Sequence, residues 1–430
     1  MHSNLRPIAS LLLGVAFILA GHGLQFTHVP LRGNAEGFGA LAIGVIGSAY
    51  YVGFGGGCLL APYVILRAGH IRAFAALVAL AAFVGLVYPL APYVSAWVAF
   101  RALSGFSLAG FYLVIESWLN DRATNETRGL IMSSYVIVNF FAFTVGQLMV
   151  TLYPVKGTES FMLAAMAASL AIIPVALTRS AQPAPITIVS FRPLQLYHAA
   201  PVGLVASVVV GAANGAFLTL GPLSAARNGF NVAEVALFMG VATSAGALAQ
   251  WPVGRLSDRV DRRIVLLATL IGAAVTGLVL WLLASTVTLL LIFGFLFGAL
   301  ALPGYSLAAA HAYDKTPVSD MVPTTATILL ANASGSVIGP MLAAAVMALQ
   351  GPRALFLFTA AAQGALAVYV FHRTTVQAPL REPEKTHFDL AATAPVGALV
   401  TGETLDLSDP SVAVPETYTP QASDGGETGS

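Results

Sequence analysis

Apolar residues dominate the chain in twelve long runs, and short polar segments separate these runs. A helix needs about 20 apolar residues to cross a hydrocarbon core about 30 Å thick, and the runs are of about that length. The pattern therefore predicts an all-α membrane protein with twelve transmembrane helices. The predicted spans are residues 8–30, 41–66, 73–91, 95–117, 129–153, 159–178, 200–222, 233–254, 264–284, 287–310, 323–348 and 353–372.

The first run follows Arg6 and so has the outline of a signal peptide. It continues past Ala20 to Pro30, which is longer than the apolar part of a typical signal peptide. We therefore expect this run to be a transmembrane helix.

The composition agrees with a membrane protein and excludes other classes. Hydrophobic residues make up 57% of the 430 residues and charged residues only 9%, whereas a soluble domain carries roughly 25% charged residues. A soluble enzyme and a nucleic-acid binder are thereby excluded. The single cysteine, Cys58, excludes an intramolecular disulfide. We expect no metal site and no cofactor.

The basic residues of the short loops predict the orientation, because cytoplasmic loops are enriched in Lys and Arg. If the N-terminus is cytoplasmic, the inside segments hold twelve basic residues and the outside segments hold four, Arg32, Lys156, Arg227 and Arg353. The sequence therefore predicts a multi-pass membrane protein with both termini in the cytoplasm.

The two halves of the chain repeat one another at an offset of 192 or 193 residues. His22 falls on Asn214, Gly105 on Gly298, and Tyr112 on Tyr305; Asn139 and Gly146 fall on Asn332 and Gly339. Such a constant register implies duplication into two pseudo-symmetric six-helix bundles, an arrangement typical of transporters that bind substrate between their halves.

The repeat and a change in composition divide the chain into four parts. We predict a first bundle at 1–178, a cytoplasmic central loop at 179–199, a second bundle at 200–372 and a disordered tail at 373–430. The tail carries nine acids against three bases and has no apolar periodicity, which is typical of a disordered segment. We expect it to be a solubilising extension rather than a regulatory one.

A short basic motif lies between spans 8 and 9 and carries a resemblance to a known family. Its glycine, aspartate and basic residues are Gly254, Arg255, Asp258, Arg259, Arg262 and Arg263. This spacing resembles the loop signature of the major facilitator superfamily. The equivalent segment of the first half keeps Arg67 and Arg72 but has Leu66 where the aspartate belongs. We therefore expect a gate contact to rest on Asp258, near the start of span 5 at Gly129.

Further segments narrow the resemblance to an uncharacterised bacterial branch, the YcaD-like transporters. They are Val114–Ser117, Arg128–Gly129, Gly146–Gln147, Gln250–Pro252 and Ile338–Pro340. Arg101 and Gly105 of span 4 also resemble the superfamily's Arg-x-x-x-Gly motif. The resemblance covers residues 1–372 and implies the major facilitator fold, with transport across the bacterial inner (cytoplasmic) membrane by rocker-switch alternating access.

Two charged residues lie inside span 4. Arg101 is either an anion-binding or coupling residue or an arginine that reaches the outer interface, because a charge in a membrane must find a partner or water. Glu116 lies some 22 Å further along the helix, so the two cannot pair. Glu116 is either a proton carrier or a partner for Arg122 or Arg128, and we favour the second.

The resemblance implies that spans 1, 4, 7 and 10, with parts of spans 2, 5, 8 and 11, line a central cavity. The candidate substrate or coupling residues are accordingly His22, Gln25, Arg101, Tyr112, Glu116, Asn139, Asn214, Tyr305 and Asn332. The alternative for each polar residue is a plain hydrogen bond between helices, worth about 0.6 kcal/mol on average.

We therefore expect a secondary transporter of a small organic solute, acting as a monomer in lipid. An exporter of toxic compounds is an alternative, and a membrane sensor without transport is a second. A co-transported proton stays open, because His22 titrates in the right range but no carboxylate lies near the middle of span 1. The catalytic patterns of enzymes are absent from the sequence.

Overall fold

The structure, a computed structural model, describes residues 8–124, 127–176, 183 and 190–376. Over these residues it contains helices and connecting segments and no strand. Its twelve transmembrane helices are α1 (Ala9–Ala35), α2 (Ala40–Ala68), α3 (His70–Val87), α4 (Val94–Arg122), α5 (Arg128–Leu148), α6 (Glu159–Ala176), α7 (Pro201–Arg227), α8 (Val232–Arg259), α9 (Arg262–Leu283), α10 (α10a, Val287–Ala301, and α10b, Gly304–Tyr313), α11 (Met321–Gln350) and α12 (Ala354–Val376).

Short elements complete the described chain. Single 3₁₀ turns follow α3 and α5 at Tyr88–Leu90 and Met149–Leu152, and a third, Val318–Asp320, precedes α11. A seven-residue helix, Pro193–Ala199, leads into α7. Residues 179–182 and 184–189 of the predicted central loop and residues 377–430 of the predicted tail lie outside the described residues.

The prediction of twelve membrane-spanning helices is confirmed, and the structure adds a break in one of them. Helix α10 stops at Ala301 and resumes at Gly304. Pro303 at the break has no N–H, and its ring crowds the carbonyl four residues earlier. The sequence analysis treated 287–310 as one continuous helix and missed this break.

The predicted loop between spans 8 and 9 is wrong in its extent. Helix α8 continues to Arg259 and α9 begins at Arg262, so only Val260 and Asp261 join the two helices. Hydropathy ends where the hydrocarbon ends, whereas a helix with charged residues can continue beyond it. Most of the motif is therefore the rigid ends of two helices.

The helices form two bundles with the same internal contacts. In the first bundle α1 packs on α5 and α6, α2 packs on α4, and α3 packs on α6. In the second bundle α7 packs on α11 and α12, α8 packs on α10a, and α9 packs on α12. Each contact in one bundle has its counterpart six helices later, which confirms the predicted pair of pseudo-symmetric bundles.

Matched glycines bring the paired helices into close contact. A Cβ on Gly105 would run into the carbonyl of Tyr50, and a Cβ on Gly298 would run into the carbonyl of Ala242. Gly298 lies 193 residues after Gly105, and Ala242 lies 192 residues after Tyr50. Only glycine allows this approach of two helices, so the same packing solution occurs once in each half.

We call the end of the bundle at which α1 begins the near face, and the opposite end the far face. The two bundles meet along α2 with α11 and along α5 with α8. Towards the far face a Cβ on Gly44 would lie 2.6 Å from the Cβ of Ala344, and Gly240 faces Leu148. We call this contact between the bundles the seam.

A hydrogen-bonded bridge also crosses the seam at the far face. Arg227 at the end of α7 donates from Nε to Oδ1 of Asn34 over 2.8 Å and from Nη2 to the carbonyl of Phe38 over 2.9 Å. Nearer the middle of α11, Leu329 joins the apolar core of the first bundle. The two halves therefore touch along the seam and are closed at the far face.

Candidate functional site

Arg101 lies inside the first bundle between two aromatic rings. It sits about 10 Å along α4 from the far-face end and is only 3% exposed. Its Cζ lies 4.6 Å from the ring centroid of Phe26 and 4.9 Å from that of Tyr50. Such contacts are worth about 2 kcal/mol each when desolvated. The arginine is therefore held inside the protein rather than reaching the interface.

His22 completes a compact group with these residues. Its Nε2 lies 3.1 Å from the hydroxyl of Tyr50, and its ring packs edge-on against Phe26, with the centroids 4.9 Å apart. We call His22, Phe26, Tyr50 and Arg101 the arginine cluster. The structure thus brings together two residues predicted as site residues, His22 and Arg101, and adds two aromatic residues that the sequence analysis missed.

A small cavity opens from the arginine cluster onto the seam. The volume of this seam cavity is about 10 Å³, and its walls include Phe26 and Arg101 of the first bundle and Thr219 of α7 in the second. Nη1 of Arg101 is buried and has no hydrogen-bond partner. A permanently charged donor therefore remains unsatisfied where the two halves meet.

A second cavity lies on the other side of His22, inside the first bundle. His22, Gln25, Ser104 and Ser107 contribute its polar wall, and it offers about 30 Å³. One water needs about 10–15 Å³, so two waters fit. The hydroxyl of Ser107 is buried without a partner, which is consistent with hydration. Gln25, predicted as a site residue, belongs to this cavity.

Two hydrogen bonds join α4 to α5 closer to the near face. The hydroxyl of Tyr112 donates to Oδ1 of Asn139 over 3.1 Å, and the hydroxyl of Tyr135 donates to Oε1 of Glu116 over 2.7 Å. Glu116 is completely buried. The sequence analysis predicted Tyr112, Glu116 and Asn139 as site residues but missed Tyr135. Whether Glu116 carries a proton or braces an arginine stays a prediction.

The predicted residues of the second bundle have a more structural setting. Asn332 donates from Nδ2 to the carbonyl of Ser207 over 3.1 Å, which ties α11 to α7. Asn214 donates to the carbonyl of Ala301 over 3.3 Å, at the break in α10, while its Oδ1 is buried without a partner. Tyr305 packs against apolar residues on both sides of α10b.

The near-face motif forms a buried ion network within the second bundle. Nε of Arg262 lies 2.7 Å from Oδ2 of Asp314 at the end of α10b, and both side chains are at most 2% exposed. Arg262 also lies 3.3 Å from Asp258 and donates to the hydroxyl of Ser257 over 3.0 Å. The approach of Asp258 to Gly129 stays a prediction, while the contact with Arg262 is a finding.

The remaining motif residues fix the turn between α8 and α9. Asp261 accepts from the backbone N–H of Arg263 over 2.9 Å and from its guanidinium over 2.7 Å. Burial by itself raises the pKa of the Asp261 carboxyl, but these hydrogen bonds and the charge of Arg263 together lower the pKa below its ordinary value. On α8, the Cζ of Arg255 lies 4.4 Å from the ring centroid of Trp251.

Twelve apolar helices in two like bundles define a polytopic membrane protein. Residues 203–405 match the sequence model of the Major Facilitator Superfamily. The match covers slightly less than half of the 430 residues, and over them the chain is similar to this superfamily. Its relatives and its fold are those of transporters, so it is a multi-pass inner-membrane transporter and not an enzyme.

Curated relatives place the chain near one bacterial group. It is 28% identical over 370 residues to the "Uncharacterized MFS-type transporter YcaD" of Salmonella arizonae, covering 84% of this chain and 94% of the relative. The protein of the same name from Escherichia coli is 28% identical over 364 residues, with the same coverage. The predicted resemblance to the YcaD-like branch is thereby confirmed.

Solved structures confirm the fold. The mutant form of the nucleoside transporter NupG superposes with a TM-score of 0.72 at 12% identity, covering 85% of this chain and 99% of that one. A bacterial homologue of the human lysosomal transporter Spinster gives 0.70 at 13%, with 88% and 97% covered. At these identities the likeness concerns the fold alone.

Proposed function

We propose that this chain is a secondary active transporter that moves a small organic solute by rocker-switch alternating access. One observation carries the proposal: Arg101, whose buried Nη1 has no hydrogen-bond partner, lines a cavity at the seam that also includes Thr219 of the other bundle. A solute bound there contacts both halves, so opening the seam at either face exposes it to that side.

The proposal includes an orientation and an oligomeric state. The near face, which holds most of the basic loop residues, is cytoplasmic, and both termini lie on that side. One chain supplies both bundles and both sides of the seam cavity, so a monomer is sufficient. The solute passes between the bundles from one face to the other.

A disulfide across the far face tests alternating access. Gly44 and Ala344 lie on opposite sides of the seam, and a Cβ on Gly44 would lie 2.6 Å from that of Ala344. The same Cβ would lie 2.8 Å from the carbonyl oxygen of Pro340, so the helices must shift by about 1 Å, which also gives the Cβ separation of a disulfide. Cysteines at both positions, in a Cys58→Ser background, should form a bond that blocks saturable counterflow in proteoliposomes, and reduction should restore it.

The matched control is a disulfide inside one bundle. Cysteines in place of Gly277 of α9 and Ala360 of α12 would have their Cβ atoms 3.3 Å apart within the second bundle. This bond should leave counterflow unchanged, because the bundle moves as a unit. Full flux through the oxidised Gly44–Ala344 protein would refute alternating access, and a complete lack of saturable flux in the reduced protein would favour the sensor alternative.

A pH gradient decides whether a proton is co-transported. If an inward proton gradient speeds up uptake of the solute into proteoliposomes, the transporter is proton-coupled. Equal flux with and without the gradient assigns uniport. In the first case, His22→Asn and Glu116→Gln separate the two candidate proton carriers, since only the true carrier should abolish the response to the gradient.

A further inference from the structure

Arg101 carries a buried charge that no carboxylate compensates. Among the residues that the structure describes, no ion pair includes it, and its Nη1 has no hydrogen-bond partner. The rings of Phe26 and Tyr50 offset part of the charge. Neither residue accepts a hydrogen bond from Nη1, so the guanidinium remains able to bind an anion.

The free donor lies at the boundary between the bundles. Arg101 lines the seam cavity together with Phe26 and Val29 on α1 and Thr219 on α7. Thr219 is 5% exposed and brings a hydroxyl from the second bundle to this cavity. An oxyanion that accepts from both Arg101 and Thr219 would therefore link the two halves.

We propose that Arg101 and Thr219 bind the anionic group, a carboxylate or a phosphate monoester, of a small organic solute. The inference rests on the transport function proposed above and names the substrate class for the same site. The guanidinium fork matches the oxygens of both groups. Once the bundles have separated, the apolar part of the solute packs against Phe26, Val29 and Ile46, which line the same cavity.

Charge and size favour an organic anion over other solutes. A cation would meet the uncompensated charge of Arg101, and a neutral solute would leave that charge buried and unpaired. The cavity of about 10 Å³ has room for little more than one water. The solute therefore enters when the bundles separate, and the seam closes on its anionic group.

Probes that share a phenyl ring but differ in charge test whether an anionic group is required. Thermal unfolding of the purified full chain in detergent is measured with benzoate, phenyl phosphate and the neutral benzamide. We expect benzoate or phenyl phosphate to raise Tm and benzamide to leave it unchanged. Sodium phosphate at the same ionic strength separates an organic ligand from a free inorganic anion. A shift from benzamide equal to that from benzoate, or from inorganic phosphate alone, overturns the proposal.

Substitutions at the seam locate the binding site. Arg101→Gln should weaken the apparent affinity for the effective probe by about tenfold or more, because a charge-assisted bond is lost. Thr219→Val should weaken it by a smaller factor. Lys156→Gln, which removes an exposed positive charge at the far face, should leave it unchanged. Unchanged affinity in both seam variants overturns the proposal.

Folding of the variants is checked by gel filtration and by Tm without a probe. If Arg101→Gln fails to fold, Arg101→Lys and Thr219→Val carry the test. Lysine keeps the charge but loses the fork, so we expect weaker binding that retains the preference for an anion over benzamide. Wild-type affinity in both of these variants overturns the proposal.

Counterflow separates this inference from the transport proposal. Saturable counterflow of a neutral or cationic solute that benzoate and phenyl phosphate do not inhibit overturns the anion site and leaves the transporter intact. Binding of the probe that depends on Arg101, without saturable flux of that probe, supports the anion site and counts against transport.

Discussion

Buried charges in this protein follow two different arrangements. Arg262 has a carboxylate at 2.7 Å, a second at 3.3 Å and a hydroxyl at 3.0 Å. Arg101 has two aromatic rings and an unsatisfied donor. The first arrangement stabilises a turn between helices. The second leaves binding capacity unused, which is why we place the solute there.

The Arg262–Asp314 pair makes a prediction for stability. Asp314→Asn removes one charge of a pair whose side chains are almost fully buried, and breaking such a pair costs about 3 kcal/mol. We expect a clear drop in Tm of the purified protein. Asp320→Asn is the matched control, because its partner Arg192 is 48% exposed at 3.6 Å and such pairs contribute about 0–1 kcal/mol. Equal shifts in both variants would contradict the assignment.

Asp261 makes a prediction for pH dependence. Its pKa is lowered in the folded protein, so its contribution to stability is present above the unfolded pKa and is lost as pH falls through the folded pKa. Asp261→Asn should therefore lower Tm at pH 7, and the difference from wild type should shrink below the ordinary pKa of 3.8. A difference that is constant from pH 7 to pH 3 would argue against a titrating carboxylate.

Individual polar residues could be predicted from the sequence, but their partners could not. Arg101 and Glu116 stand out because charge is rare in an apolar helix. Tyr50 and Tyr135 do not stand out, because an aromatic residue in a membrane span is common. Their roles depend on which helices pack together, and Tyr50 lies 51 residues before Arg101 in the chain.

At the scale of helices, close contacts at glycine decide how the bundles assemble. Gly298→Ala would push the new methyl group into the carbonyl of Ala242. Overpacking of this kind costs about 1–3 kcal/mol, so we expect a lower Tm and less folded protein. Gly364→Ala in α12 is the control, because a Cβ there meets nothing within 4 Å, and alanine favours helix by about 1 kcal/mol. A similar loss in both variants would show that packing at Gly298 is not the cause.

Helix positions were largely predictable, whereas helix ends and breaks were not. Hydropathy located all twelve spans because lipid imposes their length. It could not separate a helix end from a loop at Arg255–Arg259, where the backbone stays helical among charged residues. The break at Leu302–Pro303 is marked in the sequence by a proline followed by a glycine. It was missed because the surrounding apolar run is long enough to be one continuous transmembrane helix.

At the scale of the molecule, the far-face bridge should bias the equilibrium between closed and open seams. Arg227 donates two hydrogen bonds across the seam to Asn34 and Phe38. Exposed contacts of this kind contribute about 1 kcal/mol in total. Arg227→Ala should therefore slow disulfide formation between cysteines at Gly44 and Ala344 by up to about fivefold.

The control for this prediction keeps the charge. Arg227→Lys retains a positive group but loses the two-pronged contact, so its rate should fall between those of wild type and Arg227→Ala. Both rates are measured in proteoliposomes at fixed oxidant concentration. Unchanged rates in both variants would mean that the bridge does not hold the seam.

The overall architecture was predictable because repetition is visible in the sequence. The offset of 192 or 193 residues predicted that Gly105 and Gly298 are equivalent, and in the structure they contact the equivalent residues Tyr50 and Ala242. The seam was not predictable at this level. It joins α2 to α11 and α5 to α8. The residues in contact there do not occupy equivalent positions of the two halves, so the repeat does not predict these contacts.

The arginine cluster has no counterpart in the second half, so the two halves differ in their chemistry although they share one fold. The position that matches Arg101 is Gly294, where a Cβ would lie 2.6 Å from the ring of Phe238. The positions that match Tyr50 and Phe26 are Ala242 and Leu218. In the proposed site the first half therefore supplies the guanidinium and the apolar contacts, whereas the second half contributes Thr219, so the recognition of a cargo depends on one half and the other mainly closes over it.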